Sequence, residues 1–331
     1  RKKNHQDEAP INVIGQIKPN TIEQGIKTAL ATGMWGMNRT KKGVAQSLSR
    51  LSWIQSLAYL RRVMSPSSDN AATSSITSMR HVNNITMYFL CPTETPEGQK
   101  IGIVKSLAMS STISLQNSSQ KAIVLGIIDK FGKSKHPADL DSLLIKYQTK
   151  IFINGDWVGC TKSVIELYNL LLNERSSGLI DKMTTISMDY RRNELRVFSD
   201  GGRLIRPIMR VENKLLNFNK KIATEVKNLL DDKNPEKGWK KMLSKYSRII
   251  DYEDIESSNY LMISRDLNVL TSNMENVEKK IHYEKGTKLN RYGDYRYLNY
   301  THCEMARWLL LGAVTNTIPF ANHNYGAKNI V

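Results

Sequence analysis

Cysteine is nearly absent from this chain: Cys91, Cys160 and Cys303 stand alone, far apart and without any C-x-x-C spacing. An odd, dispersed set of this kind offers neither a disulfide framework nor a zinc site, and it fits a reducing compartment. Long apolar runs are missing as well. No stretch approaches the roughly 20 residues that span a bilayer, and the basic start, RKKNHQDEAP, has no apolar signal core behind it. The expectation is an intracellular, soluble protein without a membrane partner. Acidic residues are in deficit, 31 against 48 Lys+Arg, which leaves a formal net charge of +17. A globular chain with that imbalance attracts polyanions at long range, with nucleic acid as the first partner to expect and an anionic membrane surface the second. What is present is enough apolar material for a core: 331 residues with 40% hydrophobic content predict two or three domains and exclude disorder throughout. The start at Arg1 without a methionine, and the end at Val331 just after a basic turn, read as the borders of a segment of something longer.

Thr21 to Leu30 reads as a short helix, with Thr21 as a cap and the glycines of ATGMWG as its stop. Val44, Leu48, Leu51, Ile54, Leu57 and Ala58 recur at helical spacing, so one amphipathic helix is predicted over 44–62, ending on Arg61 and Arg62 with Pro66 barring continuation. Cations at that end also complement the helix dipole, so the pair taken alone signals no ligand. Ser65 to Ser78, rich in Ser, Thr, Ala and Asn, predicts a surface loop. Arg80 and His81 follow, then Ile85 to Leu90 as a β-prone run, then CPTETPEGQ. Its prolines stiffen a turn that presents Glu94 and Glu97, with Gly98 free to take a positive φ. Two carboxylates in a turn are more often caps or ion-pair partners than general acids or metal ligands.

Farther along, FINGDWVG has a hairpin signature at Asn154-Gly155, and NELRVFSDGGRLIRPI repeats it at Asp200-Gly201-Gly202. Between them SVIELYNLLLNERSSG predicts a helix with Ser163 as cap and Gly178 as stop, which makes a small α+β domain. Arg191, Arg192, Arg196, Arg203, Arg206 and Arg210 alternate along this region in the manner of a solvated strand face. Lys220–Leu230 and Trp239–Ile250 read as helices, and NYLMI as a strand. The run DYEDIE invites a metal through Asp251, Glu253 and Asp254, but one short acidic run without ligands elsewhere reads as a solvated loop. At the end, THCE leads into the apolar LLLGAV, read as a buried core element. Pro319 and a polar loop with Asn322, His323, Asn324, Gly326 and Lys328 follow, a set suited to a phosphate contact.

In order along the chain, ATGMWG, GVAQSLSRLSWIQSLAYLRR, RHVNNITMYFLCPTETPEGQKIGIVKSLA, FINGDWVG, SDGGRLIRP, THCE and IPFANHN resemble the second-largest, β-type subunit of multisubunit DNA-directed RNA polymerases, on the eukaryotic, archaeal and large-DNA-virus branch. CPTETPEG is the most specific of these signatures, and the set spans nearly the whole chain. The resemblance implies an α+β, multi-domain segment: the end of a lobe and a fork region over 1–115, a first external domain over 116–210, a second over 211–299, and the start of a hybrid-binding region over 300–331. It implies that the loop holding Ser67, Ser68 and Asn70 is a fork loop at the downstream edge of the transcription bubble, with Arg61, Arg62 and Arg80 close to nucleic acid. Glu94 and Arg80 are implied as active-site supports, with no catalytic group and no zinc in this segment. Lys328 falls where the family places an arginine that contacts the nucleotide triphosphate, a departure that keeps the charge and loses the bidentate fork. The implied chemistry is attack of the RNA 3′ hydroxyl on the α-phosphate, with Mg2+ held mainly by the largest subunit. Implied partners are the largest and other polymerase subunits, template DNA, the RNA transcript and nucleoside triphosphates, in a nucleus or in a cytoplasmic viral factory or virion. The segment alone is expected to be inactive. A stand-alone basic nucleic-acid-binding module, resting on charge only, is the alternative, and a nuclease built on DYEDIE a more distant one.

Overall fold

The structure, a computed structural model, describes residues 17–35, 43, 45–64, 75–140, 145–212, 215–230, 238, 241–242, 245–271 and 300–330. The chain divides into two compact units, residues 1–80 with 95–105, and 81–94 with 106–331.

In the first unit, helix α1 (Pro19–Thr32) begins on a proline, whose missing N–H is no loss at a helix start. It stops at Gly33, which takes φ 70° and donates its N–H to the Ala29 carbonyl at 2.9 Å. A Cβ there would lie 2.3 Å from the Ala45 carbonyl oxygen, so only glycine fits. The single helix expected over 44–62 is much shorter: α2 covers Trp53–Leu60. Ser52 is extended and its side chain accepts the Gln55 N–H, a cap that starts the helix at this point. The Ser56 hydroxyl then reaches back to the Ser49 carbonyl at 2.6 Å, fixing the preceding strand-like segment. The stretch from Ala45 to Leu51 is not helical, so the apolar periodicity there was accidental. Strand β1 (Arg62–Val63) follows α2, and β2 (Lys105–Ser106) ends the unit. Residues 65–74 of the expected surface loop lie outside the described residues.

The second unit holds two sheets. One is formed by β4 (Ser134–Lys135), β5 (Thr149–Ile153), β6 (Asp156–Thr161), β7 (Thr185–Asp189) and β8 (Glu194–Phe198). These five strands lie in the order β4-β6-β5-β8-β7. Asn154 and Gly155 make the expected tight turn between β5 and β6 at φ 50° and 88°. A second hairpin joins β7 to β8 through Asn193 at φ 54°. Helices α3 (Gln120–Phe131) and α4 (Val164–Ser177) complete the layer, with Gly178 stopping α4 at φ 91° as expected. Their apolar positions, Val124, Ile128, Leu167 and Leu171, join Ile151, Leu195 and Val197 of the strands in one core.

The hairpin expected at Asp200-Gly201-Gly202 does not form. β8 remains in the five-stranded sheet, whereas β9 (Leu204–Glu212) founds a six-stranded one with β3 (Thr112–Ile113), β10 (Leu215–Leu216), β11 (Ile250–Asp254), β12 (Ile263–Ser264) and β13 (His302–Cys303). The glycines serve a crossing between sheets: Gly202 donates to the Ser114 carbonyl at 2.9 Å, and Gly201 to the Gln116 side chain at 2.8 Å. A Cβ on Gly201 would meet the Gln116 backbone nitrogen at 2.8 Å.

Three more expectations are corrected. Ile85–Leu90 is no strand, because Asn83 accepts the Ile85 N–H and opens a 3₁₀ turn at Asn84–Thr86, and Tyr88 takes φ 67°, which a strand residue cannot. NYLMI is a turn over Asn259–Leu261, with extended pairing only at Ile263–Ser264. LLLGAV is not a buried core element: a 3₁₀ turn, Arg307–Leu310, leads into mostly half-buried irregular chain. In the helix expected over 239–250, residues 241, 242 and 245 are helical, but 246–249 turn and Ile250 opens β11. Lys220–Leu230 is helix α5, as expected.

Leu171 is fully buried in the helix–sheet core. Leu171→Ala should lower unfolding stability by about 2–5 kcal/mol; denaturant titration of the purified chain checks this, and a loss under about 1 kcal/mol would mean the two helices do not pack on the sheet as described.

Candidate functional site

Arg61, Arg62 and Arg80 belong to the first unit. Arg61 ends α2, its N–H closing on the Ala58 carbonyl at 3.1 Å. Arg62 is exposed, with its guanidinium carbon 5.1 Å from the centre of the Tyr59 ring, a contact that steadies the side chain without removing it from water. Arg80 ends a 3₁₀ turn, Ser78–Arg80, and its side chain ties down backbone: Nη1 donates to the carbonyls of Gln99 at 2.7 Å and Ile101 at 2.9 Å. Gly102 makes this approach possible, since a Cβ there would lie 2.3 Å from the Arg80 carbonyl oxygen. The Thr95 hydroxyl accepts the Gly102 N–H and donates to the Val104 carbonyl, both at 2.9 Å. Gly98 takes φ 78° as the turn chemistry demands. Arg80 thus clamps the PEGQKIG loop, and of these three arginines Arg62 is the exposed one. Ser67, Ser68 and Asn70 lie outside the described residues.

Glu94 and Lys328 belong to the second unit. The buried Cys91 organises the Glu94 neighbourhood: its Sγ accepts the Glu94 N–H at 3.3 Å and lies 3.3 Å from the Thr93 hydroxyl and 3.6 Å from that of Thr315. The half-buried Glu94 carboxylate packs against Gly312, where a Cβ would come within 2.2 Å of Oε2. That is the geometry of a side chain fixed by packing. Lys328 lies in the short helix α6 (Gly326–Ile330). The loop before it is pinned by Asn329, which donates to the Ala321 carbonyl at 2.7 Å and accepts from the Asn324 amide at 3.2 Å.

The strongest electrostatics of the second unit lie around β11. Asp251 and Glu253 alternate on this strand, so both carboxylates face the same way. Arg175 of α4, only 4% exposed, meets Asp251 Oδ1 at 3.3 Å and Glu253 Oε1 at 2.9 Å, and donates to the Thr184 carbonyl at 3.2 Å. His302 of β13 places Nε2 at 3.3 Å from Asp251 Oδ2. One donor atom from each of Asp251, Glu253 and His302 falls within 4.8 Å of the others, a set that suits a cation. The cation present is the Arg175 guanidinium. Beside it, Asp254 accepts from Thr185 at 2.5 Å and from Arg203 at 3.0 Å, Arg196 is shared by Glu194 and Glu256, and Arg206 Nη1 donates to both oxygens of Glu304 at 2.6 Å.

Two sequence expectations are overturned here. The DYED part of DYEDIE lies on a sheet strand with Asp251, Glu253 and Asp254 buried, and the arginine series is largely an internal one: Arg206 is buried and Arg196 and Arg203 mostly so, each against an acid. Arg191 and Arg192 alone keep the expected exposure, while Arg210 is mostly covered and pairs with Glu212. Most of the pairings were hidden because the partners are distant in sequence: Glu256 for Arg196, Asp254 for Arg203 and Glu304 for Arg206, although Arg196 and Arg210 also meet Glu194 and Glu212 two residues away. Asp254 and Glu304 reach their arginines because β11 and β13 both pair with β9. Burial pushes the Asp251 carboxyl up, but the His302 hydrogen bond and the Arg175, His302 and Arg210 charges outweigh it and hold the group below the usual carboxylate range. For Glu304 burial wins over Arg206, and its carboxyl sits above that range.

Comparison with known proteins gives two family matches: RNA polymerase Rpb2, domain 3, over residues 46–113, and RNA polymerase Rpb2, domain 4, over residues 151–212. The DNA-directed RNA polymerase subunit 2 of Acanthamoeba polyphaga mimivirus is 35% identical over 337 residues, covering 100% of this chain and 27% of the relative. The DNA-directed RNA polymerase II subunit 2 of Arabidopsis thaliana is 31% identical over 322 residues, covering 96% of this chain and 25% of the relative. The DNA-directed RNA polymerase III subunit RPC2 of Drosophila melanogaster is 26% identical over 336 residues, with 97% and 25% covered. The chain spans about a quarter of the length of these relatives.

Arg175→Met leaves Asp251 and Glu253 buried without their cation, and should cost about 3–5 kcal/mol of stability by denaturant titration; a loss near zero would mean the pairs are not formed. A group whose pKa falls on folding contributes stability that is present above its unfolded value, about 3.9 for an aspartate, and lost as pH drops through the lower folded value. The stability difference between the wild type and Asp251→Asn should therefore shrink as pH falls through that window; a difference that grew on acidification would have the wrong sign.

Proposed function

The chain belongs to the family of second-largest subunits of DNA-directed RNA polymerases, and on that premise we propose that it contributes to transcription by lining the active-site cleft. The observation that carries this reading is the match of the whole chain to a subunit 2, at 35% identity. Around CPTETPEG, the loop holding Ser67, Ser68 and Asn70 separates the DNA strands at the downstream edge of the bubble, with Arg61 and Arg62 offering cations to the phosphates beside it. The exposure of Arg62 supports that role. Arg80 and Glu94 act as supports, which agrees with the clamp of Arg80 on two carbonyls and the packing of Glu94 on Gly312. Lys328 contacts the triphosphate of the incoming nucleotide as a point charge.

The reaction of the whole enzyme is nucleotidyl transfer, in which Mg2+ stabilises charge on the attacking and leaving oxygens. The metal is assigned to the largest subunit; among the described residues of this chain, Asp251 and Glu253 of the group with His302 are paired with the Arg175 guanidinium. The residues of this chain supply strand separation and nucleotide positioning. The partners are the largest and other polymerase subunits, template DNA, the transcript and nucleoside triphosphates. The end of the lobe and the fork region are assigned to 1–115, the external domains to 116–210 and 211–299, and the start of the hybrid-binding region to 300–331. No helix among the described residues is long and apolar enough to cross a membrane. The place of action is a nucleus, or a viral factory or virion for a viral enzyme.

In the intact enzyme, Lys328→Ala should raise the apparent KM for nucleotides roughly tenfold, the worth of one hydrogen bond to a charged group, while leaving the affinity for template DNA unchanged. Steady-state elongation kinetics at varied nucleotide concentration provide the measurement; an unchanged KM would remove Lys328 from the nucleotide site.

A further inference from the structure

A cleft of about 280 Å³ opens within the second unit between the 84–89 segment and residues 258–265. Three features set it apart from an ordinary surface dent. The first is Arg206, which lines the cleft while only 4% exposed. The Tyr88 and Phe89 ring centres lie 5.0 and 5.1 Å from its guanidinium carbon, Glu304 takes its Nη1, and its Nε has no hydrogen-bond partner among the described residues. A buried donor without a partner calls for an explanation, and a ligand is one of those available.

The second feature is surplus positive charge at the rim. Arg265, 68% exposed, is 3.6 Å from Asp266 Oδ2, an oxygen that already accepts Arg307 Nε at 2.7 Å. Two guanidiniums share one carboxylate, so Arg265 keeps capacity for a second anion. The side-chain amides of Asn84 and Asn259, on opposite sides of the cleft, have no partner among the described residues and offer further donors. The third is Tyr88, a bulky residue held at φ 67°. Left-handed backbone at such a residue is strained, persists only where the surroundings over-determine it, and clusters at ligand sites. Ile85, Met87 and Ile263 supply apolar wall beside these polar groups.

We propose that this cleft binds a small amphiphilic anion: a short apolar body carrying one carboxylate. The head sits on Arg265 and the Asn84 and Asn259 amides, and the body lies along Ile85, Met87 and Ile263. A cleft of this size, at the lower end of small-molecule sites, admits a body of several carbons. The carboxylate can come from a free small acid or from an acidic side chain of another stretch of polypeptide, since both present the same group to the same arginine. The site is independent of the nucleotide and DNA roles assigned above, so its failure would leave those untouched.

The test uses the intact protein with its natural companion chains and hexanoate as probe, read by saturation-transfer NMR. Hexanoate should bind in the millimolar range, hexylammonium with the same body and opposite charge should not, and Arg265→Ala should weaken hexanoate roughly 10- to 100-fold, with Arg265→Lys retaining part of the affinity. Arg265 is exposed, so these variants should fold normally. If the cleft is filled from within the assembly, hexanoate fails to bind, and a photo-cross-linking residue at position 259 should instead capture a peptide containing Asp or Glu in an Arg265-dependent manner. Equal binding of both probes, hexanoate binding indifferent to Arg265→Ala, or no binding together with no Arg265-dependent cross-link would each overturn the proposal.

Discussion

The second unit depends on a buried guanidinium. Arg175 leaves helix α4, which packs on the five-stranded sheet, and ends on Asp251 and Glu253 of the six-stranded one. Helix and strand are thereby fixed to each other by charge, in a place where neither partner could stand alone. Removing one member of such a pair leaves the other desolvated, which is far more costly than never having buried either. The same logic repeats at Arg206 with Glu304 and at Arg203 with Asp254, so three arginines of one chain hold the frame around β9. The arginines of this protein are therefore divided: some are paired with acids inside the fold, and the others are open to a polyanion.

That division bears on function. Within the arginine-rich stretch that looked like a basic face, the mostly covered side chains are already paired, while Arg62 in the first unit remains open to water. Burial and pairing thus separate the arginines that hold the protein together from those available to phosphate, a distinction that net charge alone cannot make.

Much of the fold was legible where the chemistry is local. Asn154-Gly155 needs two positive φ values and gave its hairpin, Gly178 ended its helix, and Gly98 turned as its neighbours required. The family was legible from ordered signatures, with CPTETPEG the most telling. What escaped was non-local. Ser52 capped a helix later than the apolar period suggested, and the glycines at 201 and 202 bonded to residues 114–116 instead of closing a hairpin. Asp251 and Glu253 found an arginine more than 70 residues away, 78 in the case of Glu253. A local scan reads alternating charge as surface because water is the only partner it knows of. Of the candidate site, Arg80 and Glu94 could be named from sequence, but their carbonyl clamp and glycine contact could not, since a motif gives no sign of which backbone Gly102 and Gly312 approach.

The proposed working edge of this protein is the loop between Arg62 and Arg80. Its most direct test is site-specific photo-cross-linking from position 68 in the intact polymerase stalled on a DNA bubble of defined sequence. Cross-links to DNA confined to the few bases around the downstream edge of the bubble are expected. Cross-links to protein alone, or to DNA far upstream of the bubble, would contradict that placement.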